Sequence, residues 1–375
     1  MKLQVIHIVL GKANPNRMNG VNKVVNSLAE HQALLGEDVT VWGITKNPLH
    51  DYPERTYKTQ LFKDTGKFGV SNELKAAIEL LVGEKVIFHF HGGFIPQFNS
   101  VAKLFVQHKI QYVFTPHGAF NTVALQRSKL KKKLYIQFIE NYTVKNAKHV
   151  HLIGQSEIEG MQKVFGNVPY ELIANGQDRA EQTIVQDSKI GNSAPVFGFV
   201  GRLDQHTKGL DILLEGFAKY VHNVNYYSRL RLIGDGPDRA SLEKLAQKLD
   251  IEKQMRFYGA KYGIEKDKLV NQLDFLCLNS RNEGLPGVVL EAASAGVPAI
   301  VSEETNLGAY IRKNKAGFVT KNNNSETVTQ TLIAAEKSIQ ENNYSELAQN
   351  AKRMVKQDFD WSTIAKQHLN SYEAA

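Results

Sequence analysis

Short apolar runs recur along both halves of the chain, separated by stretches whose apolar positions repeat at helical spacing. In the first half LQVIHIVL (3–10), DVTVWGI (38–44), KVIFHFH (85–91), QYVFTPH (111–117) and HVHLIG (149–154) read as strands rich in β-branched and aromatic residues. VNKVVNSLAEHQALLG (21–36) carries the period of an amphipathic helix between the first two. Strands alternating with helices predict a parallel, doubly wound sheet. From 176 to 195 the chain turns polar (GQDRAEQTIVQDSKIGNSAP), as a linker does, and the alternation then resumes with PVFGFVG, SRLRLIGDG, MRFYGA, LDFLCLNS and VPAIVS. Two Rossmann-like domains are therefore expected, 1–178 and 179–357. The tail 358–375 (DFDWSTIAKQHLNSYEAA) predicts a helix capped by Ser362. Asp358 and Asp360 form a D-x-D, a pattern that can hold a metal, but ahead of a helix they read as loop and cap residues.

With 375 residues and 42% apolar content, each domain has room for a full core. The single cysteine, Cys277, lies in an apolar run, which excludes an intramolecular disulfide and fits a reducing, cytoplasmic compartment. The start MKLQVIHIVLG lacks a small-residue cleavage site and reads as the first strand rather than a signal. No run is long enough to span a bilayer. A formal charge of +8 favours anionic partners. Its dense cluster is RSKLKKKLYIQFIENY (127–142), where Lys129, Lys131, Lys132 and Lys133 stand beside a stripe of Leu130, Leu134, Tyr135, Phe138 and Ile139. As a helix this is a solvated face over a core stripe, or a peripheral contact with anionic lipid at the inner face of the cell membrane, each lysine contributing about 1 kcal/mol there.

The chemistry concentrates in SRNEGLPGVVLEAASAG (280–296). Gly284, Pro286 and Gly287 disfavour helix, whereas VVLEAASA favours it, so Glu283 lies in a loop and Glu291 about one turn into the helix behind it. Free N–H groups and the positive dipole end of that helix suit a phosphate, and carboxylates suit sugar hydroxyls. Upstream, Arg202 and Lys208 follow the strand VFGFV, where two cations can neutralise a departing diphosphate. His117 and Gly118 close QYVFTPHG. His89 and His91 share one strand face, yet no third ligand at zinc-binding spacing stands near them, so no metal site is expected.

The segment EGLPGVVLEAASAGVPAIVS, together with VIFHFHGG, TPHG, FVGRLDQHTKGLDILLEGF and LIGDGPDRASLEKLA, which precede it in that order, resembles the retaining glycosyltransferases of family 4, whose signature is E-x7-E. The resemblance implies a GT-B fold: two Rossmann-like domains facing across a cleft, the first binding acceptor, the second a nucleoside-diphosphate-sugar, with the final helix crossing back to the first. It implies that Arg202 and Lys208 contact donor phosphates, that Glu291 accepts from ribose hydroxyls, and that Glu283 orients the donor sugar. Backbone at Gly284, Leu285 and Gly287 would touch that sugar, whereas Pro286 has no N–H to offer. By the same likeness Gly20 belongs to the donor loop, with Asn19 in place of a second glycine. Gly234 resembles a nucleotide-side turn, Ala260 meets the base, His117 acts at the sugar, and His91 with Gly118 lines the acceptor side. No cofactor is implied, and uridine is the commonest base.

The expected reaction is transfer of a sugar, most often from a UDP-sugar, to a glycan or lipid-linked acceptor in surface polysaccharide synthesis. A nucleotide-sugar epimerase on the same architecture is the nearest rival, but it does not usually pair E-x7-E with the GR-x5-KG cations. A non-catalytic binder of sugars or nucleic acid is the third. Aromatic residues are not interleaved with the basic cluster as stacking platforms for nucleic acid require.

Overall fold

The computed structural model describes residues 3–14, 20–126, 129–177 and 194–374. Two compact units emerge, Met1–Asp178 with Trp361–Ala375, and Arg179–Asp360. The first holds strands β1 (Gln4–Leu10), β2 (Asp38–Thr45), β3 (Lys58–Lys63), β4 (Val86–His91), β5 (Tyr112–Thr115), β6 (Val150–Leu152) and β7 (Tyr170–Leu172), all parallel, in the order β3-β2-β1-β4-β5-β6-β7. The second holds β8 (Val196–Val200), β9 (Arg229–Ile233), β10 (Met255–Gly259), β11 (Phe275–Leu278), β12 (Ala299–Ser302) and β13 (Gly317–Thr320), in the order β10-β9-β8-β11-β12-β13. Strand order reverses between β1 and β4 and between β8 and β11. Loops leaving the carboxyl ends at such switch points form the crevices where doubly wound sheets bind ligands.

Alternation along the strands builds the core. Ile6, Ile8, Phe88 and Phe90 share one sheet face with Phe98 and Phe105, while Val5, Val9, Ile87 and Val113 lie on the other with Val25 and Tyr372. Burial on both faces explains why these strands read as near-continuous apolar runs. Strands β3, β7 and β13 escape the sequence reading for the complementary reason. Each is an outermost strand of its sheet, and KTQLFK, YEL and GFVT are too short or too polar to stand out.

The final helix runs Trp361–Glu373, so Ser362 lies inside it rather than capping it. The boundary at 358 shifts accordingly. Asp358 ends the helix Tyr344–Asp358 of the second unit, its carboxylate accepting from Lys313 Nζ at 2.9 Å and Asn314 Nδ2 at 2.7 Å. The Trp361–Glu373 helix packs on Gly20–Leu34 in the first unit. Gly176 lies against its first residue: a Cβ there would sit 2.3 Å from the Trp361 ring.

The basic segment also departs from expectation. Helix Lys129–Tyr135 passes into a π-helical turn, Ile136–Glu140, before Asn141–Lys145. The wider turn changes which face is covered. Ile136 and Glu140 are buried, whereas Leu134 and Phe138, expected in the core stripe, are 52% and 72% exposed. Glu140 turns inward because its carboxylate accepts the Phe94 N–H at 2.8 Å, and Asn99 donates to the Ile139 carbonyl at 2.8 Å. Lys131 and Lys133 are exposed, but Lys132 folds back to donate to the Ala124 carbonyl with its ammonium 4.9 Å from the Phe94 ring. No helix among the described residues is long and apolar enough to cross a membrane.

Substituting Gly176→Ala forces Trp361 from its seat and is expected to cost about 1–3 kcal/mol in urea unfolding. Gly20→Ala, which meets nothing within 4 Å among the described residues, leaves the midpoint unchanged.

Candidate functional site

Loop 201–209, after β8, and loop 279–287, after β11, flank the switch point of the second sheet. They approach so closely that a Cβ on Gly209 would lie 1.9 Å from the Asn279 carbonyl oxygen, and Gly209 adopts φ +62° before the helix Leu210–Asn223. Only glycine meets both demands. Arg281 tightens the seam: its backbone N–H donates to Thr207 O at 2.9 Å and its guanidinium grips Asp211 through two 2.8 Å bonds. That partner lowers the Asp211 pKa against the opposing effect of burial.

This seam brings Lys208 Nζ within 2.5 Å of Glu283 Oε1, with side chains 23% and 13% exposed. The same oxygen accepts Ser280 Oγ at 2.8 Å. The Glu283 N–H donates to Glu304 O at 3.1 Å, while Asn306 Nδ2 donates to the carbonyls of Glu283 and Gly284 at 2.9 and 2.6 Å. Gly284 and Leu285 lead into the helix Gly287–Ser294, whose N-terminus carries no side-chain cap. Glu291, one turn in, pairs with Lys266 at 2.5 Å. Sequence reasoning missed Lys266 and Asn306, because each reaches its partner from another segment and carries no motif of its own, and it gave no role to Ser280, which stands in the same stretch three residues before Glu283.

Arg202 is exposed, and no ion pair or hydrogen bond engages its guanidinium among the described residues. It follows Gly201, against which Gly234 is wedged: a Cβ on Gly234 would stand 1.8 Å from the Gly201 carbonyl oxygen. Gly234 N–H donates to Gly259 O at 2.9 Å, and the exposed Ala260 comes next. Thus Arg202, Gly234 and Ala260 cap three neighbouring strands. Close packing alone accounts for glycine at 234.

In the first unit, β5 ends at Thr115, so His117 sits two residues beyond the strand rather than on it, with φ +51°. Gly118, expected on the acceptor side, donates its N–H to Glu157 Oε1 at 2.6 Å. His91, expected on the acceptor side, is 1% exposed and holds His117, Nδ1 to Nε2, at 3.0 Å. Gly20 opens the first helix beside residues 15–19, Asn19 among them, which lie outside the described set.

A third histidine does stand beside His89 and His91. It is His7 of β1, in register with His89. Local spacing hid it; parallel pairing supplies it. Each ring nitrogen of the three is already engaged. His7 meets His91 at 2.8 Å and Gln32 at 2.7 Å, and His89 meets Tyr372 at 2.7 Å and Thr115 at 2.5 Å. A metal would have to displace these bonds.

Burial lowers the pKa of seven imidazoles here, His7 and His117 to about 4, His151 to about 3, with His89, His91, His149 and His368 also below the usual range. Unfolded, these groups protonate near 6.5. Their stabilisation is thus complete above about pH 6.5 and lost as pH falls toward 4. At about 1.4 kcal/mol per pH unit between the two values, His7 alone withdraws about 3 kcal/mol. Burial raises Glu140 and Glu157 to about 7, the opposite sense, so their contribution is present at low pH and lost as pH rises through about 7. Seven groups against two predict a falling denaturant midpoint for the first unit between pH 6.5 and 4. A flat profile would mean that the imidazoles are not held neutral.

Comparison with known proteins gives these residues a context. Residues 180–354 match the family described as glycosyl transferases group 1, and residues 18–181 match Glycosyltransferase Family 4. An uncharacterized glycosyltransferase of Methanocaldococcus jannaschii is 29% identical over 178 residues, 47% of this chain and 44% of that protein. The D-inositol 3-phosphate glycosyltransferase of Corynebacterium urealyticum is 25% identical over 288 residues, 71% of this chain and 66% of its own. The chain thus spans between under half and about two thirds of these relatives. Among solved structures, Anabaena HepE in complex with UDP is similar with a TM-score of 0.72 at 16% identity over 100% of both chains, a likeness of fold. Two matched models running from 18 to 354, on two parallel-sheet α/β units of GT-B type, place the chain in the group 1 glycosyltransferases.

Proposed function

We propose that this chain is a retaining, metal-independent glycosyltransferase that moves a sugar from a UDP-sugar to an acceptor hydroxyl in surface polysaccharide or lipid-linked glycan synthesis. The observation that carries the reading is the meeting of Lys208, Glu283 and the uncapped helix start at Gly287 on two loops of one switch point, with unpaired Arg202 on the first of them. Cations and free amides there suit a diphosphate, and stabilising that leaving group as its charge grows is the main catalytic contribution. Glu283 keeps Oε2 for a sugar hydroxyl while Lys208 and Ser280 hold Oε1. Glu291, steadied by Lys266, takes the ribose. The unit 179–360 binds donor, with backbone at Gly234, Ala260, Gly284 and Leu285 against nucleotide and sugar. The first unit binds acceptor, with Gly20 at the donor loop and His117 toward the reacting groups. The UDP in the HepE complex supports uridine as the base.

A lipid-borne acceptor accords with the exposed Leu134 and Phe138 beside Lys131 and Lys133. Apolar side chains flanked by cations suit an anionic membrane surface.

The test is thermal shift with UDP, GDP and ADP. UDP is expected to raise the midpoint, by about 2.7 kcal/mol of stabilisation at a hundredfold excess over Kd; no response to any nucleoside diphosphate refutes the proposal. Lys208→Ala and Glu291→Ala are expected to weaken nucleotide binding about 10- to 100-fold, the scale of a charge-assisted bond. Glu283→Ala lowers kcat instead. Donor incubated without acceptor should return unchanged, and an isomerised sugar would establish the epimerase in its place. Phe138→Ser is expected to reduce co-sedimentation with anionic vesicles without changing UDP affinity.

A further inference from the structure

A continuous chain of hydrogen bonds crosses the first unit, and its direction can be deduced from one end. His151 Nε2 lies 2.7 Å from the Ile173 carbonyl oxygen, which can only accept, so that nitrogen carries the proton. A neutral His151 then accepts at Nδ1, and Thr115 Oγ1, 2.8 Å away, must donate to it. Thr115 has spent its only proton, so His89 Nε2, at 2.5 Å, donates to Thr115. His89 Nδ1 is therefore an acceptor, and Tyr372 donates its hydroxyl proton at 2.7 Å. The Tyr372 oxygen can now only accept, which turns the NH2 of Gln32 toward it at 3.5 Å and the Gln32 carbonyl toward His7 Nε2 at 2.7 Å. His7 donates from Nε2 and accepts at Nδ1 from His91 Nε2 at 2.8 Å. His91 Nδ1 in turn accepts from His117 Nε2 at 3.0 Å.

We propose that this relay locks His117 as the Nε2–H tautomer and presents its Nδ1 lone pair as an acceptor for a substrate hydroxyl, with Gln32, His7 and His91 acting as positioning residues. Nδ1 of His117 has no partner among the described residues, and the residue is partly exposed, at the end of the network. The deduction needs neutral rings, and burial disfavours the imidazolium throughout. The adjoining carboxylate, Glu157, spends its oxygens on the N–H groups of Gly118 and Ile153. A residue that only accepts favours a substrate group that donates, so a hydroxyl is preferred over an ether or a fluorine at that point. The identity of that hydroxyl rests on the transferase reading; the tautomer does not.

Nitrogen-15 NMR of the full chain labelled at histidine, with His117 assigned by its loss in His117→Gln, reads the tautomer directly. Near neutral pH the wild type is expected to show a protonated Nε2 and a bare Nδ1 at His117. Gln32→Glu keeps an acceptor facing His7 and should preserve that pattern, whereas Gln32→Leu should give a mixture of tautomers. Should Gln32→Leu fail to fold, Tyr372→Phe frees the Gln32 amide to reverse and serves the same end. An Nδ1–H tautomer or an imidazolium in the wild type overturns the proposal, as does an unchanged His117 in both Gln32→Leu and Tyr372→Phe. In transfer assays the variants that mix tautomers should lose kcat about in proportion to the lost population, while Gln32→Glu retains it. Absence of transfer from every nucleoside-diphosphate-sugar, with His117 spectra as expected, would count against the transferase reading and leave the relay standing.

Discussion

The candidate site depends on how closely two loops can lie together at the carboxyl end of the second sheet. Gly209 allows a backbone approach that any side chain would block. From that approach follow the Lys208–Glu283 contact and the Arg281–Asp211 clamp. The clamp also decides which cations are available. Arg281 is committed to holding the seam. Lys208 is shared with Glu283 yet keeps two of its three donor positions, and Arg202 is uncommitted on the surface. In the proposed function, an incoming diphosphate would therefore meet charge that is already oriented, with little side-chain ordering still to be done at Lys208.

The two glutamates illustrate how spacing and surroundings divide the work of argument. Spacing put one in a loop and one a turn into the helix, and the helix does begin at Gly287. Spacing alone was equally compatible with a general acid and base pair. The surroundings favour binding: each carboxylate faces a lysine, and Glu283 Oε1 is held by a second donor from Ser280. An oxygen so engaged is poorly placed to attack an anomeric carbon, whereas the oxygen opposite is well placed to orient a hydroxyl.

Much of the fold was legible because buried parallel strands must be apolar on both faces. β1, β2, β4, β8, β11 and β12 announced themselves in this way. Edge strands carry no such obligation, and β3, β7 and β13 went unread. The basic segment misled for a related reason. Its periodicity assumed an unbroken α-helix, but the buried Glu140, bonded to Phe94, draws the chain through a π-turn and sets Leu134 and Phe138 outside. A carboxylate facing the core is a weak signal in sequence, since glutamate usually marks the solvated face.

The histidines were the least legible group, though their alternation was visible. QVIHIVL, VIFHFH and VHL each place an imidazole at one parity of an apolar strand, and only the register reveals that His7 lies beside His89. A polar network within a core is tolerated when its members are satisfied, and a gap in it is costly because the low dielectric penalises any unpaired group. That rule gives the network its direction. With an obligate acceptor, the Ile173 carbonyl, at one end, no ring can choose its tautomer independently, and the sole freedom left is at the terminal nitrogen of His117. The positive φ at His117 belongs to the same arrangement, since it carries the ring back over His91 after β5 has ended. Backbone strain, burial and hydrogen-bond polarity thus converge on one lone pair at the carboxyl end of the first sheet.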